Sequence, residues 1–385
     1  MLVDGIAPQE SRTQLVPEGF DGPRACGPFE LPGVLDLVNL VIRTLNTPAG
    51  SPPRWPSMGA DFPHVYHVGN LDNIRVIVRD GRVATSVGIY STLVRTPRGD
   101  LLVGGINAMA THPDARRLGL GNAVMEDAAA KMRSDGHQIA LLGTRIQDWY
   151  RRMDWESAGQ QWRFVFDRGN IAYLPAPAEL EVIEDWRPHA ADLCALHNIE
   201  PLGALRSEMI FTLLAERRLS RVFVARQNGR VVAYAGTSGT TVNEYAGAAE
   251  DVAALIRAIF DRLDDRSTHT SERPPGQRAT IELMVTTPVA TEGLPGLLGT
   301  RGIPSTLTYQ GMIKILDAPG LFRALDLREI DLERHDEGWR VHHRGQLLDL
   351  SERQLVKLVF GPERFPDFAP GVFPVPFFQW TVDHV

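Results

Sequence analysis

Asn107-Ala-Met-Ala-Thr111-His-Pro-Asp-Ala-Arg116-Arg-Leu-Gly119-Leu-Gly121-Asn-Ala-Val-Met-Glu126 reads as a strand that runs through a glycine-containing loop into a helix. A helix start leaves backbone N–H groups unpaired and carries the positive end of the helix dipole, so this turn suits an anion. Gly119 and Gly121 let the backbone approach a ligand closely, and Arg116 and Arg117 add fixed positive charge. A dinucleotide fingerprint needs a third glycine at position 124, which is Val124, and a nucleoside-triphosphate loop needs Gly-Lys-Ser/Thr, which is absent. By spacing alone, an anion site and an ordinary left-handed turn ahead of a helix fit equally well.

Outward from this stretch, the apolar residues of 31–45 recur at spacings of three and four and predict a helix. A proline-rich connection follows over 48–69, holding Trp55 and Tyr66. Two β-rich runs flank Asp80-Gly81, a strong hairpin signal. Strands are predicted at 101–110 and 139–142, with a helix over 120–135 between them. After the linker Pro175-Ala-Pro177-Ala, helices are expected at 190–196 and 205–216, then a hairpin around Asn228-Gly229, a helix over 249–263 and a strand at 279–285. The recurrence points to two α/β units in tandem. From Met312 there follow an apolar segment to Leu325, strands at 329–332 and 339–343, a helix over 351–360 and an aromatic, proline-rich tail. The expected fold class is α/β (α+β): an N-terminal tail over 1–22, mixed-sheet units at 23–175 and 176–305, and a short α+β domain at 306–385.

Composition narrows the function. The 385 residues are 43% hydrophobic and 23% charged, with 40 Lys plus Arg against 47 Asp plus Glu, a net charge of −7. That balance argues against a nucleic-acid partner, which needs a basic surface. Only Cys26 and Cys194 occur, far apart, so neither a disulfide framework nor a paired-cysteine metal site is expected. His342 and His343 are adjacent in a predicted strand and point to opposite faces, so they do not chelate one metal together. The start of the chain has no basic segment followed by an apolar core, and no run of about 18 apolar residues follows. A cytoplasmic protein without a membrane partner is expected.

Arg116-Arg-Leu-Gly119-Leu-Gly121 after a strand resembles the coenzyme A motif of the GNAT acetyltransferases, Arg/Gln-x-x-Gly-x-Gly/Ala. The likeness is to the tandem-GNAT branch with a sterol-carrier-like C-terminal domain, which includes the enhanced intracellular survival acetyltransferases. Asn70-Leu-Asp-Asn-Ile-Arg-Val76, Leu141 through Met153, Asn243-Glu-Tyr-Ala-Gly247, Met312 through Leu321, and Leu348 through Gly361 support it. The resemblance implies acetyl-CoA as co-substrate. Strand backbone at Met109, Ala110 and Thr111 would run beside the pantetheine arm, with Arg116, Arg117, Leu118, Gly119, Gly121 and Asn122 at the pyrophosphate. Two departures limit it: the second unit lacks the motif at 243–250, and the third, about 70 residues from Met312, is short for a sterol carrier, a domain of about 100 residues.

Acyl transfer to an amine needs a base for the amine and a donor for the leaving thiolate. Tyr150, at the position of the family's acid, has a phenol that keeps its proton at neutral pH. The alternative is a core tyrosine packed on Trp149 or Trp155. In the resembled branch the chain's own terminal carboxylate is the base. This assigns Val385, with His384 and Asp383 in reserve, and an apolar tail that would bury against the first unit. The alternative is a tail that only staples domains. Trp55 and Trp149 could hold a cationic amine by cation–π contact and Asp36 could neutralise an ammonium, while core and solvated roles compete for the same residues. The expected activity is direct transfer of acetyl to a primary amine of a small molecule or peptide, with no metal and a homo-oligomer as partner state. The other readings are a non-catalytic protein that binds or senses coenzyme A or an acyl ligand, and an assembly protein.

Overall fold

The computed structural model describes residues 16–45, 57–177, 180–268, 281–335, 338–362, 365 and 368–384. The chain forms two compact units, Met1–Tyr90 with Ile106–Asp135, and Ser91–Gly105 with Gly136–Val385. The first unit contains β1 (Asp21–Ala25), α1 (Leu31–Val38), α2 (Met58–Asp61), β2 (Ile74–Arg79), the start of β3 (Arg82–Thr96), the end of β4 (Gly99–Thr111) and α3 (Leu120–Ser134). Its strands are ordered β1-β2-β3-β4. The β2–β3 turn puts Asp80 at φ +49° and Gly81 at φ +73°, the pair of positive angles that a two-residue hairpin needs to match strand twist. α1 buries Val34, Leu37 and Val38, and helical structure continues with a wider turn over Asn39–Leu45, covering the span that the sequence period predicts. α3 buries Leu120, Val124, Ala128 and Met132, and its Asp127 accepts two hydrogen bonds from Arg75 of β2, at 2.5 and 3.2 Å. β1 was not expected. It is a polar edge strand holding Gly22 and Pro23, with a register shift between Asp21 and Arg24, so it carries no alternation to read.

In the second unit β4 continues, and Val103, Gly104 and Gly105 pair in parallel with β5 (Ile139–Leu142). α4 (Gln147–Arg151), β6 (Glu156–Ala158) and β7 (Gln161–Phe166) follow. After the proline-rich linker come β8 (Glu181–Ile183), α5 (Ala190–Ile199), β9 (Gly203–Ala204), α6 (Glu208–Arg218), β10 (Arg221–Gln227), β11 (Arg230–Ser238), β12 (Thr241–Gly247), α7 (Ala249–Thr268) and β13 (Leu283–Pro288). Asn228 and Gly229 close the β10–β11 hairpin at φ +51° and +78°, and β13 lies parallel to β12. An antiparallel hairpin, a third strand, a helix and a parallel strand thus occur twice, the repeat that the sequence predicts.

The remaining elements are α8 (Gly293–Thr300), β14 (Ser305–Thr308), β15 (Gly311–Ile315), α9 (Ala318–Ala324), β16 (Asp331–His335), β17 (Gly338–His343), β18 (Gln346–Leu350) and α10 (Glu352–Phe360). β7 lies between β13 and β14, and β15 lies between β5 and β6. The sheets therefore cross the positions 175/176 and 305/306 where composition places boundaries. Apolar side chains account for this: Phe164 and Phe166 of β7 join a core with Val242 and Leu283, while Ile313 of β15 joins one with Val103 and Leu141. β16, β17 and β18 make a small antiparallel sheet, giving two large mixed sheets and a third small one. His342 is half-buried beside Asp331 and His343 is buried against Glu329 O, on the opposite faces that strand alternation requires.

Candidate active site

β4 ends irregularly, with Ala108 at φ +45°. Below it Asn107 is buried and accepts a hydrogen bond from Tyr66 Oη at 2.5 Å. Burial pushes the Tyr66 phenol up, so it stays a donor. Thr85 Oγ1 donates to Ala110 O at 2.8 Å and lies 2.9 Å from Thr111 Oγ1, while His112 N donates to Ala84 O. These bonds fix the strand end from the β3 side. Parallel pairing with β5 is confined to Val103–Gly105, short of half-buried Met109.

Beyond one turn of 3₁₀ helix at Pro113–Ala115, Arg117 takes φ +64° and Gly119 φ +79°. For Arg117 a left-handed backbone costs about 1–2 kcal/mol that glycine would not incur. Left-handed residues on either side of Leu118 turn successive N–H groups into a concavity of the kind that holds anions. Gly119 caps α3, and its carbonyl accepts from Asn122 N at 3.1 Å and Ala123 N at 3.2 Å. Among the described residues, the amides of Arg117, Leu118, Gly119, Leu120 and Gly121 have no acceptor. The Asn122 amide is already engaged, leaving its side chain as the group available to a ligand. Arg116 and Arg117 are exposed with no carboxylate partner among the described residues, and Arg116 Nε reaches Thr111 O at 3.4 Å. Within the sequence-predicted stretch, the amides of 117–121 are the free donors of this cradle among the described residues, while those of His112, Ala115, Arg116 and Asn122 are engaged.

Tyr150 is buried in α4 of the second unit. Trp149, half-buried, meets its ring edge-on at 4.6 Å, and Trp155 at 6.1 Å. Arg151 ties the short helix down by donating to Glu156 Oε1 at 3.1 Å and Asp148 Oδ1 at 2.8 Å. The Tyr150 hydroxyl has no hydrogen-bond partner among the described residues, and burial pushes its pKa up to about 12. Asp36 is exposed on α1, the solvated alternative for that carboxylate. Trp55 and Val385 lie outside the described residues.

The tail is buried, as its apolar sequence predicts, through Phe377, Phe378, Trp380 and Val382. Its described partners lie in both stretches: Phe377 shares a core with Val103, Leu141 and Ala158, while Trp380 packs edge-on against Tyr245 at 4.8 Å and Asp383 accepts from Arg206 Nε at 2.7 Å. That pairing commits the Asp383 carboxylate to Arg206, and burial pushes the His384 imidazole down to about 4, a weak base near neutral pH. Sequence reasoning missed Tyr66–Asn107 and the Arg206 cluster, whose partners are too distant in sequence to leave a local pattern. A cavity of about 730 Å³, walled by Phe365, Phe368, Phe373, Phe377 and Phe378, holds none of the expected site residues. Among the described residues no group of three His, Cys, Asp or Glu could hold a metal ion, and no helix is long and apolar enough to cross a membrane.

Residues 24–158 match the family model of the acetyltransferase (GNAT) domain. This segment is a GNAT acetyltransferase domain. It carries the cradle, Tyr150 and Trp149. No curated protein matches the chain by sequence. Among solved structures, the chain is similar to a GCN5-related N-acetyltransferase from Kribbella flavida, at TM-score 0.55 and 17% identity over 83% of this chain and 80% of that one. It is similar also to a probable N-acyltransferase from Enterococcus faecalis V583, at TM-score 0.59 and 13% identity over 84% and 83%. A third is Eis1 from Mycobacterium abscessus, at TM-score 0.52 and 10% identity over 86% and 84%. At these identities the likeness is one of fold. The family match supports acyl transfer in general for residues 24–158.

Proposed function

We propose that the protein is an N-acetyltransferase that moves acetyl from acetyl-CoA to a primary amine of a small molecule or peptide, by direct attack in a ternary complex. The observation that carries this reading is the run of amides from Arg117 to Gly121, free among the described residues, beside Arg116 and Arg117 side chains with no described carboxylate partner, at the start of α3. Such a cradle matches a pyrophosphate. Met109, Ala110 and Thr111 would lie along the pantetheine arm, with Leu118 and the Asn122 side chain at the edge of the loop.

In the reaction the amine nitrogen bonds to the acetyl carbon as the carbon–sulfur bond breaks. The proton lost from nitrogen passes to a base, for which we propose the Val385 carboxylate. Sulfur departs as a thiolate that accepts a hydrogen bond from Tyr150, and it takes up a proton from solvent to end as the thiol. With its pKa pushed up to about 12, the Tyr150 phenol holds its proton throughout the working range. Full transfer to a thiolate of ordinary basicity, near about 8.5, would be uphill, so its proposed role is to stabilise charge developing on sulfur. Trp149 and Trp55 remain proposed contacts for a cationic acceptor, with Asp36 as its counter-charge. Residues 23–175 are proposed as the catalytic domain, 176–305 as a second GNAT-like domain without cofactor, and 306–385 as a C-terminal domain; a homo-oligomer is the proposed assembly.

The test is thiol release from acetyl-CoA across a panel of primary amines, with the Val385-deleted chain in parallel. Amine-dependent release that falls on deletion supports the reading. Binding of acetyl-CoA with no release for any amine would favour the sensing protein instead.

A further inference from the structure

α4, which carries Tyr150, is five residues long and begins at Ile146, whose side chain has no acceptor to cap it. A helix that short does not hold its own geometry in water, so its orientation comes from what it is tied to. The residue after Tyr150 makes the tie. Arg151 donates from Nε to Glu156 Oε1 at 3.1 Å, from Nη1 to Asp148 Oδ1 at 2.8 Å and from Nη2 to Gln147 Oε1 at 3.1 Å. The Asp148 side chain is 91% exposed and that of Glu156 6%, so Glu156 is the fixed end of this fork. Glu156 is fixed in turn from three sides. It pairs with Ile313 of β15, its Oε1 accepts from Ser157 N at 2.9 Å, and its Oε2 faces Arg353 Nε of α10 at 3.7 Å. The turn that joins α4 to β6 closes on Tyr150 itself: Tyr150 O accepts from Met153 N at 2.9 Å and Trp155 N at 3.3 Å, and Lys314 Nζ of β15 donates to Met153 O at 2.6 Å.

Edge-on packing against Trp149 and Trp155 holds the Tyr150 ring, but no described residue hydrogen-bonds to its hydroxyl, so the direction of the O–H follows the backbone of α4. A buried carboxylate against a guanidinium adds little net stability over an apolar pair of the same shape. It is directional, however, because a planar guanidinium fork fixes an angle. We propose that Glu156 and Arg151 are positioning residues for acyl transfer: the Glu156–Arg151 pair, anchored by β15 and α10, fixes α4 and with it the direction of the Tyr150 hydroxyl. This rests on the reading of Tyr150 as the donor to the departing sulfur. Neither Glu156 nor Arg151 exchanges a proton in the reaction. The stretch of chain after 305 then acts on the donor through Lys314 and Arg353, without contributing a reacting group of its own.

The test compares Glu156→Gln, Arg151→Met and Tyr150→Phe singly, and each of the first two combined with Tyr150→Phe. Glu156→Gln keeps the side-chain shape and Arg151→Met keeps most of the apolar stem, which limits damage to the fold. Each is expected to lower kcat by about tenfold or more with KM for acetyl-CoA unchanged, because a donor turned off line loses most of its hydrogen bond. Neither should cause further loss once the Tyr150 hydroxyl is gone, because residues acting through one another are not additive. An equal loss in the Tyr150→Phe background would mark a merely structural role and overturn the proposal. Wild-type kcat in both variants, where Tyr150→Phe loses turnover, would overturn the positioning and leave the reading of Tyr150 standing. Wild-type kcat in Tyr150→Phe would overturn both. Hydrogen exchange reads the tie without an acceptor. In Glu156→Gln the amides of Met153 and Trp155 should exchange about tenfold faster while those of β10 and β11 are unchanged, and unaltered exchange at 153 and 155 overturns it.

Discussion

Tyr150 shows how environment redefines a residue. The sequence supplies a phenol next to two tryptophans. The structure buries it between them, removes every hydrogen-bond partner among the described residues and pushes its pKa up to about 12. A phenol so shifted is neutral below about pH 11, so the rate should show no alkaline fall from this group until pH approaches that value. Tyr150→Phe keeps the ring packing and removes the donor. The expected result is a fall in kcat of about 100-fold with KM for acetyl-CoA unchanged, read by steady-state thiol release. An equal fall in acetyl-CoA affinity would instead make Tyr150 a packing residue. Tyr150 could be singled out because the family resemblance puts the acid at its position and a phenol suits that role. Arg206 could not: its partners Glu244 and Asp383 are 38 and 177 residues away, and nothing local distinguishes a buried arginine from a surface one.

At the scale of elements, what could be read was what local chemistry dictates. Asp80-Gly81 and Asn228-Gly229 announce hairpins because only a few residue types accept two successive positive φ angles, and α1, α3 and α10 announce themselves by apolar period. The start of α3 was half legible. Two glycines and two arginines marked an anion site, but an ordinary left-handed turn has the same spacing; the structure adds that both Arg117 and Gly119 are left-handed and that five amides are free. Gly119→Ala, at φ +79°, should therefore cost about 1–2 kcal/mol of stability and weaken acetyl-CoA binding by about tenfold through displaced amides. Gly136→Ala is the control. At φ +84° with open space around a methyl group, it should cost similar stability and leave binding unchanged. Thermal melts and titrations of the two variants check this, and equal binding by both would remove the cradle from the ligand site.

For the whole molecule, the twofold recurrence of hairpin, strand, helix and parallel strand was legible as a repeated order of elements. The exchange of β7 and β15 between neighbouring stretches of chain was not, because linker composition marks where the chain turns and says nothing of which sheet a strand joins. The repeat is chemically unequal. The first copy carries Arg116-Arg-Leu-Gly-Leu-Gly at its helix start; the second carries Gly247-Ala-Ala-Glu-Asp251, with two acidic residues in the first turn of α7 that would repel a pyrophosphate. One cofactor site per chain is the expectation. The most direct measurement is a calorimetric titration of the whole protein with acetyl-CoA, repeated on the Arg116→Ala, Arg117→Ala double variant. The account expects one site per chain, and binding weakened by about tenfold or more in the variant, roughly 1.4 kcal/mol. No binding by the wild type, or equal affinity in the two proteins, would contradict it.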